Sequence, residues 1–128
     1  MTLKTAVIGV GSMGKNHARI YWELSNVDLV GVADFDEATS DLIANKYGTK
    51  AYYDYRDLLD EAKPDAVTLA VPTIYHHDVA LEIIDRGIPL LIEKPIAYTI
   101  EEGQSIIDAA KRKNVKLMIG HIERFNPA

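Results

Sequence analysis

Cysteine is absent from this chain of 128 residues, which excludes disulfides, thiolate-ligated zinc or iron–sulfur centres and a thiol nucleophile. Acid–base or covalent chemistry therefore falls to lysine, histidine, serine or carboxylates, and no metal site is expected. Long apolar runs are missing too: nothing approaches the roughly 20 residues of a membrane span, so no membrane partner is expected. Basic residues are in deficit, with 14 Lys and Arg against 19 Asp and Glu and a formal charge of -5. That balance argues against nucleic acid, whose affinity rests on neutralising many phosphates. It leaves room for one small anion held by backbone N–H groups. Repeats, low-complexity tracts and internal linkers are lacking, and the length suits one domain over residues 1–128. The first apolar run begins almost at once, which leaves no room for a signal peptide or Arg-rich presequence and makes a cytoplasmic home the expectation.

Six apolar runs are present, separated by helix-like segments: LKTAVIGV from residue 3, VDLVGVAD from 27, a weaker KAYY from 50, DAVTLAV from 65, PLLIE from 89 and KLMIG from 116. Several are nearly continuous in apolar residues, as in strands covered on both faces. The alternation predicts an α/β fold, a doubly wound parallel sheet with helices above and below. Between the runs, Thr99 with Glu102 three residues on forms a candidate capping box for a helix over 99–113. That helix has Glu101 at its positive end and Lys111, Arg112 and Lys113 at its negative end. Helices over 37–47 and 74–86 are predicted to stop at Gly48 and Gly87 in left-handed caps. YRDLLDE after Asp54 reads as a turn or two of helix.

The first run feeds into Gly9-Val10-Gly11-Ser12-Met13-Gly14, and an amphipathic segment follows in which Met13, Ala18, Tyr21 and Leu24 can share a face. Strand, glycine loop and helix in this order form the context of a dinucleotide fingerprint. In that reading Gly9 permits the tight turn, Gly11 lets a pyrophosphate approach the backbone, and Gly14 lets helix pack on strand. The N–H groups near Ser12 and Met13 face the anion. The corresponding fold is the Rossmann arrangement of about six strands in order 3-2-1-4-5-6, in three α/β/α layers. Asp34 ends the second run 20 residues after Gly14, where a carboxylate accepts hydrogen bonds from the adenosine ribose. The residues after it, Phe35-Asp36-Glu37, offer no cation for a 2′-phosphate, so NAD is favoured over NADP.

Ligands of an open parallel sheet lie beyond the C-terminal ends of its strands. Three polar groups fall there. Pro72-Thr73-Ile74-Tyr75-His76-His77 follows the fourth run, and either histidine serves equally as an exposed or capping residue or as a ligand contact. Glu93-Lys94-Pro95 follows the fifth, where Lys94 is either a solvated strand end or a functional amine. His121-Ile122-Glu123-Arg124-Phe125-Asn126-Pro127 follows the sixth.

Taken together, GVGSMG with Asp34, Val71-Pro72-Thr73 with His76, Glu93-Lys94-Pro95, and Gly120 through Pro127 resemble the N-terminal half of the Gfo/Idh/MocA oxidoreductases from residue 3 onward. The ending is most similar to the branch that oxidises UDP-N-acetylglucosamine at its 3-hydroxyl. The resemblance implies hydride transfer between NAD and a hydroxyl-bearing carbon of a sugar or nucleotide sugar, with Lys94 moving the proton or holding the hydroxyl. It places Val71, Pro72, Thr73, His76 and Glu93 around the nicotinamide and its ribose, and Arg124 at the closing edge of the cleft. Members of the family continue into a second, substrate-binding domain, which is absent from this chain. Its absence makes an excised cofactor domain the expectation, with a standalone dinucleotide sensor as the alternative. A domain with that partner surface bare is expected to form homo-oligomers through its apolar face.

Overall fold

The computed structural model describes residues 2–11 and 14–120. Six parallel strands form one sheet in the order β3-β2-β1-β4-β5-β6. They are β1 (Leu3–Ile8), β2 (Val27–Ala33), β3 (Ala51–Tyr52), β4 (Ala66–Leu69), β5 (Leu90–Glu93) and β6 (Leu117–Gly120). The helices between them are α1 (Gly14–Glu23), α2 (Glu37–Tyr47), α3 (Tyr55–Ala62), α4 (His76–Asp85) and α5 (Ile100–Lys113). The parallel α/β reading and its strand order are thus borne out.

The central strands explain why their sequences are apolar throughout. Side chains along a strand alternate between faces, and on β1 both faces are covered. Ala6 and Ile8 join the larger core with Leu58 of α3, Ile83 of α4 and Ile106 of α5. Val7 points the other way and packs with Ala18 of α1 and Ile43 of α2. Two helices therefore close one face and three the other, giving three layers. At the sheet's edge the pattern changes, and Met118 and Ile119 of β6 are exposed.

Helix ends follow local chemistry. Asp54 caps α3 by accepting from Arg56 N–H at 2.9 Å, and Thr99 caps α5 by accepting from Glu102 N–H at 3.1 Å. Each such cap is worth about 1 kcal/mol. Only half of the expected capping box forms at α5, because Glu102 Oε1 is buried without a partner among the described residues. Gly48 and Gly87 adopt φ of 66° and 75°, as left-handed caps require. The helix expected from residue 74 begins instead as a 3₁₀ turn, Thr73–Tyr75, and turns α-helical at His76. Leu24 lies beyond the end of α1 and is exposed, while His17 takes a place on that helix's buried face beside Gly14 and Ala18.

Candidate functional site

Numbering along the sheet runs outward in both directions from the β1/β4 boundary, so the turns after these two strands lead to opposite faces. A crevice opens between them at the C-terminal ends of the strands, the usual ligand position in such sheets. Here it is a cleft of about 440 Å³. Its centre is formed by Gly9 and Gly11 after β1, and by Ala70, Val71, Pro72 and Thr73 after β4. Asp34 and Phe35 close it on the β2 side, and Glu93 and Lys94 on the β5 side. Asp34 and Lys94 are thus three strand spacings apart, about 14 Å at the usual separation.

The glycines of the loop have different physical causes. Gly9 has φ of 90°, and a Cβ there would lie 2.6 Å from Val71 N. Both backbone conformation and the close approach of the β4 turn demand glycine. At Gly14 a Cβ would fall 1.6 Å from Gly9 O, so the first residue of α1 sits directly on the loop. Gly11 differs from both: among the described residues a Cβ would meet nothing within 4 Å, and its φ lies outside the left-handed range. Packing among the described residues gives no reason for glycine at this exposed position in the cleft. Close approach of a ligand to the backbone gives one. Gly11 O accepts from Lys15 N–H at 3.0 Å, so the positive end of α1 starts at the loop and favours an anion.

Asp34 braces that loop. Its Oδ2 accepts from Val10 N–H at 3.0 Å and its Oδ1 from Asp36 N–H at 2.9 Å. A carboxylate has about four lone-pair sites, so each oxygen retains capacity for a further donor from the cleft. The described residues after it include no cation among Phe35, Asp36 and Glu37.

At the opposite end, Lys94 leaves β5 with its N–H donating to Gly120 O at 3.0 Å, and its peptide to Pro95 is cis. Its side chain is exposed and has no ion pair or hydrogen bond among the described residues. Glu93 is buried, and its Oε2 meets His17 Nε2 of α1 in a hydrogen bond. His76 lies under the cleft floor, 2% exposed. Its Nε2 is 2.9 Å from Val71 O and its Nδ1 3.1 Å from Ile96 O. It ties the turn after β4 to the segment after Glu93-Lys94-Pro95, with only its edge reaching the cleft. His77 faces away, its Nε2 3.0 Å from Ser105 Oγ of α5.

Of the residues singled out from sequence, Gly9, Gly11, Asp34, Val71, Pro72, Thr73, His76, Glu93 and Lys94 line one cleft, and Gly14 stands behind its loop. Ser12, Met13, Arg124 and the rest of the stretch from His121 lie outside the described residues. Sequence reading passed over four others: Phe35, Tyr53 and Tyr55, which line the β2 end, and His17. Phe35 meets Tyr75 edge to face, their centroids 6.4 Å apart. Tyr53 donates to Asp41 Oδ1 at 2.6 Å, a bond that, with burial, raises its phenol above the ordinary value. Tyr55 donates to Glu82; burial first, and that bond second, push its phenol far up. Both hydroxyls stay protonated on their carboxylate partners, and the Arg56 guanidinium lies over the Tyr55 ring, 4.7 Å from its centroid. The available signals were an aromatic directly after the strand-end carboxylate, Asp34-Phe35, and the Tyr53-Asp54-Tyr55 run after the third strand.

Comparison with known proteins agrees with this geometry. The family model described as an oxidoreductase family with NAD-binding Rossmann fold matches residues 3–121. The rhizopine catabolism protein MocA of Rhizobium meliloti is 37% identical over 97% of this chain and 39% of its own length. The UDP-N-acetylglucosamine 3-dehydrogenase of Acidithiobacillus ferrooxidans is 36% identical over 98% of this chain and 39% of its own length. A crystal structure of the WlbA dehydrogenase of Chromobacterium violaceum, in complex with NADH and UDP-GlcNAcA, superposes with a TM-score of 0.90 at 25% identity. That match covers 98% of this chain and 36% of the other. The chain spans 39% of the length of the curated relatives named here. With a matched family model over nearly its whole length and the same fold, the chain belongs to the Gfo/Idh/MocA oxidoreductase family and is an NAD-binding Rossmann domain of it.

Proposed function

We propose that this chain is the cofactor-binding part of an NAD-linked dehydrogenase acting at a hydroxyl-bearing carbon of a sugar or nucleotide sugar. One observation carries the reading: Gly11, whose lack of a side chain no contact among the described residues explains, stands in a cleft with Asp34 at one end and Lys94 at the other. Relatives named as a UDP-N-acetylglucosamine 3-dehydrogenase and an inositol 2-dehydrogenase support the substrate class. Bound nicotinamide supplies the hydride exchange. The remaining work belongs to side chains and loops. The glycine loop and the start of α1 hold the pyrophosphate through backbone N–H groups, with Ser12 and Met13 contributing from that loop. Asp34 receives the adenosine ribose hydroxyls, and its charge disfavours a 2′-phosphate, so NAD is preferred to NADP. Phe35 offers its ring to the adenine side.

At the other end Val71, Pro72, Thr73, His76 and Glu93 shape the nicotinamide pocket. Lys94 faces the substrate hydroxyl. As an ammonium it stabilises negative charge developing on that oxygen, and as an amine it takes the proton. Arg124 closes the cleft edge. The exposed Met118 and Ile119 mark the outer edge at β6 as the surface through which copies of this chain associate.

Calorimetric titration with NADH and NADPH at equal ionic strength tests the cofactor assignment. Binding of NADH with clear preference is expected, and preference for NADPH overturns the role of Asp34. Turnover of the complete protein after Lys94→Ala tests the chemistry: activity equal to that of the unaltered protein removes Lys94 from it.

A further inference from the structure

Glu93 is a buried carboxylate at the wall of the cleft, and its partner is His17, 76 residues away in sequence. Both side chains are only 10% exposed. A carboxylate in such a place is costly unless hydrogen-bonded, so the contact with His17 decides where Glu93 points. Glu93 is also the last residue of β5. Successive side chains leave a strand on opposite faces. Holding Glu93 toward α1 therefore sets the direction in which Lys94 departs. A second fixed point is the Lys94 N–H on Gly120 O, at 3.0 Å. Between these two the lysine's backbone is held while its amine stays unpaired among the described residues.

His17 stands one turn into α1, three residues after Gly14. That glycine lies so close to Gly9 O that a Cβ would fall 1.6 Å from it, so helix and loop move as one. One turn further, Tyr21 hydrogen-bonds Thr68 of β4 and keeps the same face of the helix on the sheet. The helix that begins at the anion-binding loop thus reaches across β4 to the end of β5.

We propose that His17 is a positioning residue which, through Glu93, couples the glycine loop to the orientation of Lys94. An anion seated on the loop is then felt at the amine two strands away. The consequence for turnover rests on the role of Lys94 proposed above; the coupling itself does not.

The test places a reporter on the lysine. Lysine amines of the chain are methylated with 13C-formaldehyde, and the Lys94 signal is identified by its absence in Lys94→Arg. The unaltered chain is expected to show one Lys94 resonance that moves on addition of NADH. His17→Phe fills the ring volume without a donor. It is expected to displace the resonance in the cofactor-free chain and to abolish the NADH-induced shift. His17→Gln, whose amide N–H donates in place of the imidazole, is expected to restore both. A purely structural histidine gives no such rescue pattern at Lys94. Coincidence of the cofactor-free Lys94 resonances of His17→Phe and the unaltered chain overturns the proposal. Where His17→Phe does not fold, Glu93→Leu gives the same reading from the other partner. Failure of the unaltered chain to bind NADH removes the dehydrogenase reading alone, since the cofactor-free comparison still decides the role of His17.

Discussion

Replacing Gly11 by alanine separates what the fold needs from what the ligand needs. The added Cβ meets no atom of the described residues within 4 Å, and the backbone is not left-handed. Stability is therefore expected to hold or to rise by about 0.4–1 kcal/mol, because alanine narrows the unfolded ensemble. For a chain of this size, 1 kcal/mol corresponds to a shift of roughly 4 °C in Tm. The same methyl group projects where a pyrophosphate approaches the loop. Displacing one charge-assisted backbone hydrogen bond costs about 1.5–3 kcal/mol, or roughly a 10- to 100-fold rise in the Kd for NADH. Gly9→Ala is the contrast: at φ of 90° with a backbone atom 2.6 Å from the new Cβ, it is expected to lose several kcal/mol, more than the ~1–2 kcal/mol of the dihedral alone. Thermal unfolding and NADH fluorescence titration read both quantities on the same samples. A Gly11→Ala protein that melts like Gly9→Ala, or binds NADH as tightly as the unaltered chain, refutes the argument.

Asp34→Ser removes the carboxylate that accepts from Val10 and Asp36 and that repels a 2′-phosphate. The ratio of NADPH to NADH affinity is expected to rise about tenfold or more, and parallel titrations check it. Glu82 is expected to shape the acid limb of stability. Burial opposes its ionisation, but hydrogen bonds from Tyr55 and Arg56 prevail and hold its carboxyl below 4.5. A depressed folded-state pKa stabilises fully above the ordinary carboxylate value and is lost as pH falls through the folded one. Glu82→Gln should therefore flatten the loss of Tm below about pH 4.5 by an amount worth at most ~1 kcal/mol, since the side chain is partly solvated. Light scattering at rising concentration is expected to show association of the chain, and Ile119→Lys with Met118→Lys to abolish it; a monomer throughout contradicts association through the β6 face.

The sheet was legible because a strand covered on both faces needs apolar residues on both, and Ala6, Val7 and Ile8 report this directly. Gly48 and Gly87 were legible because glycine takes a left-handed cap without steric penalty, whereas Lys63 and Asn114 end α3 and α5 in the same conformation, at φ of 47° and 55°, without that signal. The site was legible where backbone geometry narrows the choice of residue, as at Gly9, and where charge stands at a strand end, as at Asp34 and Lys94. His17 escaped because a search for apolar residues at helical spacing steps over a polar one. Its three-residue distance from Gly14 gives its face, but only Glu93, far along the chain, explains its burial. Leu24 was misplaced for the complementary reason: α1 ends at Glu23, and periodicity carries no information about where a helix stops. The unmet half of the Thr99 capping box shows that a motif fixes which groups are able to bond, while packing around Glu102 decides which do.

The hydrogen bond from Lys94 to Gly120 has a mechanical consequence. Among the described residues β6 is the outermost strand, paired on one side only, with Met118 and Ile119 open to solvent, and outer strands fray first. The backbone of Lys94 hangs from the last residue of that strand. Amide exchange at Lys94 should therefore follow the opening of β6 and not that of the buried strands β1 and β4. Whatever clamps the outer strand stiffens the amine's mount without touching the cleft.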